Sequence, residues 1–98
     1  MKATFHRLVQ KDVWAVLNYY EEVSGEQLAD EFYEEFMTFV QHATQHPEQF
    51  HFDRSGLRRA NLERFPYHFL YRARRDGIFI LVLRHDHRRP SFGMKRDG

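Results

Sequence analysis

Hydrophobic positions recur every second residue at the start of the chain and every third or fourth residue soon afterwards. The alternation within residues 3–8 predicts a short opening strand. From residue 10 to residue 22 the period changes, and Val13 and Leu17, with Trp14 beside them, have the spacing of an amphipathic helix. The chain is therefore expected to begin with a strand followed by a helix.

A second helix is predicted over residues 24–46. Ser24 and Gln27 have the spacing of a capping box, and Val23 and Leu28 stand where a hydrophobic staple would form. A short break separates this helix from the first, so the two are expected to form an antiparallel hairpin. Its apolar stripe consists of Leu28, Phe32, Phe36, Phe39 and Ala43.

Three strand patterns occupy the second half of the chain. They cover residues 58–65, 67–74 and 78–83, and Asp76-Gly77 between the last two is a hairpin signal. The predicted order is β-α-α-β-β-β, an α+β fold with the helical hairpin packed on one face of an antiparallel-dominated sheet. The residues expected to be buried in its core are Leu17, Phe32, Phe36, Tyr67, Phe69 and Ile80.

Length and composition fit one compact domain spanning residues 1–98. Hydrophobic residues make up 42% of the chain and aromatic residues 16%, which supplies enough apolar volume for a core. The chain has no cysteine, and this excludes disulfides, thiol catalysis and cysteine-ligated zinc. No apolar run is long enough to cross a bilayer and no signal-peptide core begins the chain, so we expect a soluble, cytoplasmic protein without a membrane partner.

The net charge of +1 hides an asymmetry between the two halves of the chain. Residues 1–53 carry three Lys or Arg against ten Asp or Glu, giving −7, and residues 54–98 carry twelve against four, giving +8. Such a split often accompanies an acidic or polyanionic partner for the basic half. Acidic helices that merely cover a basic sheet would produce the same pattern.

The strand at residues 67–74 has one strongly basic face. His68, Arg72 and Arg74 alternate with aromatic residues and are expected to emerge opposite the helices, joined by Arg59 from the neighbouring strand. Guanidinium groups bind phosphates and carboxylates in bidentate fashion, so this face suits an anionic ligand. A solvated outer face is the alternative interpretation.

Histidines provide weaker candidate sites. His85 and His87 follow the most apolar strand, and His42 and His46 are four residues apart in a helix. Neither pair has a third ligand at a fixed distance, so ordinary surface histidines are the favoured interpretation and no metal or other cofactor is expected. The chain also has no glycine-rich phosphate loop and no Gly-x-Ser-x-Gly elbow.

The segment RRANLERFPYHFLYRARRDGIFILVLRHDHRRPSF resembles the C-terminal half of RelE/ParE toxins, particularly ParE. The matching features are Phe65-Pro66-Tyr67, then Tyr71, the Asp76-Gly77 turn, the strand at 78–83 and His85-x-x-Arg88-x-Pro90. The helical half is similar as well. The resemblance therefore covers nearly the whole chain.

The resemblance implies the toxin of a type II toxin–antitoxin system, neutralised by an antitoxin whose acidic or amphipathic C-terminal segment wraps around it. ParE-like members bind and inhibit DNA gyrase, whereas RelE-like members cleave mRNA on the ribosome. Where RelE-like nucleases usually place an arginine and often a C-terminal tyrosine, this chain has His68 and Phe92. Phe92 has no hydroxyl and transfers no proton, which favours the ParE-like interpretation.

Three hypotheses follow for the function. The first is a gyrase-binding toxin without catalytic residues. The second is an mRNA endonuclease that uses His68, Arg59, His87 and Arg88. The third is a non-toxic relic that only binds the antitoxin. The candidate residues for binding the target or the antitoxin are Arg58, Arg59, His68, Arg72, Arg84, His85, Arg88, Arg89 and Arg96.

Overall fold

The computed structural model describes residues 1–98 and shows two helices on one face of a four-stranded sheet. The elements in chain order are β1 (Lys2–Phe5), α1 (Val9–Ser24), α2 (Glu26–Gln45), β2 (Arg58–Asn61), β3 (Tyr67–Arg74) and β4 (Gly77–His85). The strand order is β1-β4-β3-β2. Strand β1 runs parallel to β4 and the other pairs are antiparallel, so the predicted α+β order and antiparallel-dominated sheet are confirmed.

The core lies between the helices and the inner face of the sheet. Phe36 of α2 stands edge-on to Phe69 of β3, with ring centroids 5.6 Å apart, and stacks with Phe32. Phe32, Phe36, Phe69 and Ile80 are buried as predicted, whereas Leu17 and Tyr67 are only partly buried at the edge of the core.

The predicted capping box at Ser24 is wrong. Ser24 is the last residue of α1, and Gly25 reverses the chain with a φ of 90°, a conformation that glycine adopts without steric cost. Neither helix has a side-chain cap at its N-terminus, and the Gln27 amide bonds to Glu31 instead. Val23 lies on the surface, so the staple is wrong too.

Two strands are shorter than predicted. Strand β1 ends at Phe5 because the chain turns into α1, and β2 ends at Asn61 because residues 62–66 bend into β3. A β-bulge next to Leu70 leaves Leu81 of β4 without a partner residue in β3.

An irregular C-terminal segment, residues 86–98, crosses the outer face of the sheet. A side chain on Gly93 would collide with Val82, and one on Gly98 with the ring of Phe79, so both glycines permit close packing. Val82 and Phe79 pair with β3 residues that point away from the helices. The segment therefore covers part of the outer face that the sequence pattern predicted to be open to an anionic ligand. No helix combines the length and the apolar character that crossing a membrane requires.

Candidate functional site

The centre of the outer sheet face is a buried arginine. Arg84 is only 6% exposed, and its Nε donates a hydrogen bond to Nε2 of His68 at 2.9 Å. Its Nη1 donates to the backbone oxygens of Pro90 and Phe92, at 2.8 and 2.9 Å. One guanidinium thus joins β3, β4 and the C-terminal segment.

These contacts fix the protonation of His68. Because a guanidinium only donates, Nε2 of His68 must accept, and the ring proton must be on Nδ1. Nδ1 lies 2.9 Å from Oδ1 of Asp86 and donates to it. Burial lowers the pKa of His68, and the neighbouring Arg59 and Arg84 lower it further against the opposing effect of Asp86. His68 is therefore a neutral imidazole with both nitrogens occupied.

Two carboxylates balance the cations of this cluster. Asp86 also lies 3.6 Å from Arg59, and Asp53 lies 3.8 Å from Arg84. Burial raises the pKa of Asp53, but hydrogen bonds from Ser55 and the charge of Arg84 outweigh it, so the net shift is downward. The group of Arg59, His68, Arg84, Asp53 and Asp86 is therefore a satisfied polar network.

His68 and Arg84, both among the predicted binding residues, are buried in the structure. The alternation of β3 places His68 opposite the helices as expected, but the C-terminal segment and the loop at Asp53 enclose it. His68 is 1% exposed. Neither side chain offers a free surface to a ligand.

A second anchor holds the C-terminal segment to α1. Arg96 makes a bidentate ion pair with Asp12 at 2.7 and 2.8 Å, and it also donates to the Leu81 oxygen freed by the bulge. Asp12 in turn accepts from the backbone N–H of Leu83. Arg96, predicted as a binding residue, therefore has a structural contact. Local sequence spacing carries no signal for this contact, because 84 positions separate Asp12 and Arg96.

The remaining predicted binding residues lie nearer the surface. Arg58 is half-buried and donates to the Phe50 oxygen, while His85 packs edge-on against Tyr67. Arg72 and Arg89 are exposed, and Arg88 is exposed with its guanidinium 4.1 Å from the centre of the Phe92 ring. Arg72, Arg88 and Arg89 are thus available to a partner.

The four residues of the nuclease hypothesis differ in their burial and contacts. Asp86 joins Arg59 to His68, whereas His87 and Arg88 lie in the exposed turn after β4. Another proton-transfer candidate, the hydroxyl of Tyr71, donates to the Pro47 oxygen at 2.8 Å, and burial raises the pKa of Tyr71 to about 12. No group of three or more His, Asp or Glu side chains is arranged to hold a metal ion.

An apolar groove lies between α1, α2 and β1, and none of its lining residues was among the predicted binding residues. It encloses about 420 Å³, and Phe5, Trp14 and Tyr33 on its rim are between 41% and 57% exposed. Met37 and Leu17 form part of its floor. The sequence contains one signal for this groove. Trp14 follows Val13 directly, so this large aromatic residue lies off the apolar stripe of the helix. Exposed aromatic residues around a groove are typical of protein-binding surfaces.

Comparison with known proteins identifies the fold. No protein-family profile matches the sequence, and no curated protein does. A chain in a solved structure described as "Chromosomal ParDE TA system from P. aeruginosa" superposes with a TM-score of 0.76 and 23% sequence identity. The match covers 87% of this chain and 95% of that one. The protein therefore has the fold of a chain from a ParDE system.

Proposed function

We propose that this protein is the toxin of a type II toxin–antitoxin (TA) system. The observation that carries the proposal is the fold shared over 87% of the chain with a protein from a ParDE TA system. The resemblance of the segment from Phe65 to Pro90 to ParE-like toxins supports it.

The partner is an antitoxin with an acidic or amphipathic C-terminal segment. The apolar groove at Trp14 and Tyr33 suits the hydrophobic face of a helix, which docks through residues three and four positions apart. Exposed arginines such as Arg72 and Arg89 suit its carboxylates. Opposite charges steer association, so the association rate should fall as salt rises. An association rate independent of ionic strength would show that charge does not bring the toxin and the antitoxin together.

The mode of action is binding to DNA gyrase, without a catalytic step and without a cofactor. The support is the state of His68, whose Nε2 accepts from Arg84 and therefore has no lone pair for a substrate hydroxyl. Phe92 has no hydroxyl, and Tyr71 is engaged with Pro47. An mRNA endonuclease that used His68 as its proton acceptor would need Nε2 of that residue to be free.

Expression in a bacterium, followed by assays on the purified protein, tests the proposal. We expect induced expression to arrest growth, co-expression of the antitoxin to relieve the arrest, and purified protein to inhibit gyrase supercoiling. Cleavage of ribosome-bound mRNA without any effect on gyrase would establish the nuclease instead. Antitoxin binding without growth arrest would identify a non-toxic relic.

A further inference from the structure

An open basic pocket lies between the start of α1 and the C-terminal segment. Its volume is about 480 Å³. Residues 6–8 form one wall, and residues 89–97 form the other. The cationic side chains that line it are Arg7, Arg89, Lys95 and Arg96. The pocket adjoins the apolar groove, because His6 and Arg7 line both, and it does not include Arg84.

Three of these cations have no partner within the protein. Arg96 is neutralised by its bidentate ion pair with Asp12, and the only carboxylate in the pocket, Asp97, accepts a bond from His6 at 3.2 Å. Arg7, Arg89 and Lys95 form no ion pair and no side-chain hydrogen bond, and all three are exposed. Unpaired positive charge in a concave surface attracts anions.

The adjoining backbone adds to the positive field. Helix α1 begins at Val9, directly after the wall formed by residues 6–8, and no side chain caps it. The N-terminus of a helix carries a partial positive charge. This partial charge adds to the positive charge of Arg7, Arg89 and Lys95.

We propose that this pocket binds a backbone phosphate of a nucleic acid strand. A phosphodiester offers several acceptor oxygens and a full negative charge to two guanidinium groups and an ammonium group, which bind phosphate strongly. The pocket opens to solvent on one side, so a strand can pass along it, and Arg88 on the far side of Phe92 continues the row of cations.

The test measures binding of the purified chain to a short fluorescent duplex DNA at several salt concentrations. Replacing two of the three free cations, R7Q/R89Q, should weaken binding about tenfold at low salt and reduce the slope of log K against log salt by about 0.9, the value for one lost phosphate contact. The matched control is R54Q/R75Q, which removes the same charge at two exposed arginines outside the pocket. We expect less than a threefold change for this control.

Inorganic phosphate, titrated as a second probe, separates a nucleic acid from a small anion. DNA binding that weakens in R7Q/R89Q and not in R54Q/R75Q supports the proposal. Equal weakening in both variants, or no binding of DNA by the unaltered protein, overturns it. Binding of inorganic phosphate that depends on Arg7 and Arg89, without DNA binding, also overturns it and assigns the pocket to a small anion. The assay uses neither gyrase nor antitoxin, so its outcome is independent of the proposed toxin function.

Discussion

Arg84 and His68 share a buried hydrogen bond of 2.9 Å in which the arginine donates and the histidine accepts. The same guanidinium holds Pro90 and Phe92 through their backbone oxygens. Any change in the protonation or identity of His68 therefore reaches the C-terminal segment through a single side chain.

Replacement of His68 by glutamine should lower stability but preserve toxicity. Because His68 is buried between Arg84 and Asp86, glutamine leaves one of these two groups unsatisfied, at roughly 1–3 kcal/mol. A binding toxin should still arrest growth once the amount of folded protein is matched. Antitoxin affinity provides the check on folding. A folded His68→Gln protein that no longer arrests growth would instead support the nuclease hypothesis.

Stability should rise with pH across the titration range of His68. Burial holds the pKa of this residue below its ordinary value of 6.5, so between the two values the unfolded chain binds more protons than the folded chain. The free energy of unfolding should therefore fall on acidification below pH 6.5. Urea denaturation from about pH 5 to 8 measures the effect, and His68→Gln should flatten the profile. A stability that increased on acidification would indicate a protonated His68 paired with Asp86.

Removal of Arg88 and Arg89 together should abolish growth arrest without unfolding the protein. Both side chains are exposed, so R88Q/R89Q should change the free energy of unfolding by no more than about 0.5 kcal/mol. The variant loses two groups that pair with phosphate or carboxylate, and one or two arginines often dominate a binding surface. Growth arrest and thermal melting are compared with R54Q/R75Q as the charge-matched control. Full toxicity of R88Q/R89Q would exclude this turn from the target-binding surface.

Replacement of Phe36 by alanine should destabilise the fold by about 3–5 kcal/mol. Phe36 is 2% exposed and packs against Phe32 and Phe69, so alanine leaves a cavity between α2 and β3. A loss of this size unfolds much of a small, marginally stable domain. Thermal denaturation measures it, and Tyr33→Ala on the exposed rim of the groove is the control. An unchanged melting temperature for Phe36→Ala would show that the stripe does not form the core.

The periodic parts of the chain were predictable and the irregular parts were not. Helical spacing located Phe32 and Phe36 on the core face, and the alternation of β3 correctly placed His68 opposite the helices. Burial of His68 depends on residues 86–98, which have no period that a sequence pattern can detect. The contact of Arg96 with Asp12 joins opposite ends of the chain, and local spacing contains no information about it. The helix junction is formed by Gly25 and not by a Ser24 cap, because the φ of 90° there is a conformation that glycine adopts without steric cost.

Because Arg84 bonds to both the sheet and the C-terminal segment, it should couple the local unfolding of the two. Releasing the segment removes the carbonyl oxygens of Pro90 and Phe92, which accept from Nη1 of Arg84, and leaves this buried guanidinium without those two acceptors. The irregular segment should therefore not fray as an independent terminus. In native-state hydrogen exchange, protected amides of residues 86–98 should exchange with the same opening free energy as those of β4, as one cooperative unit.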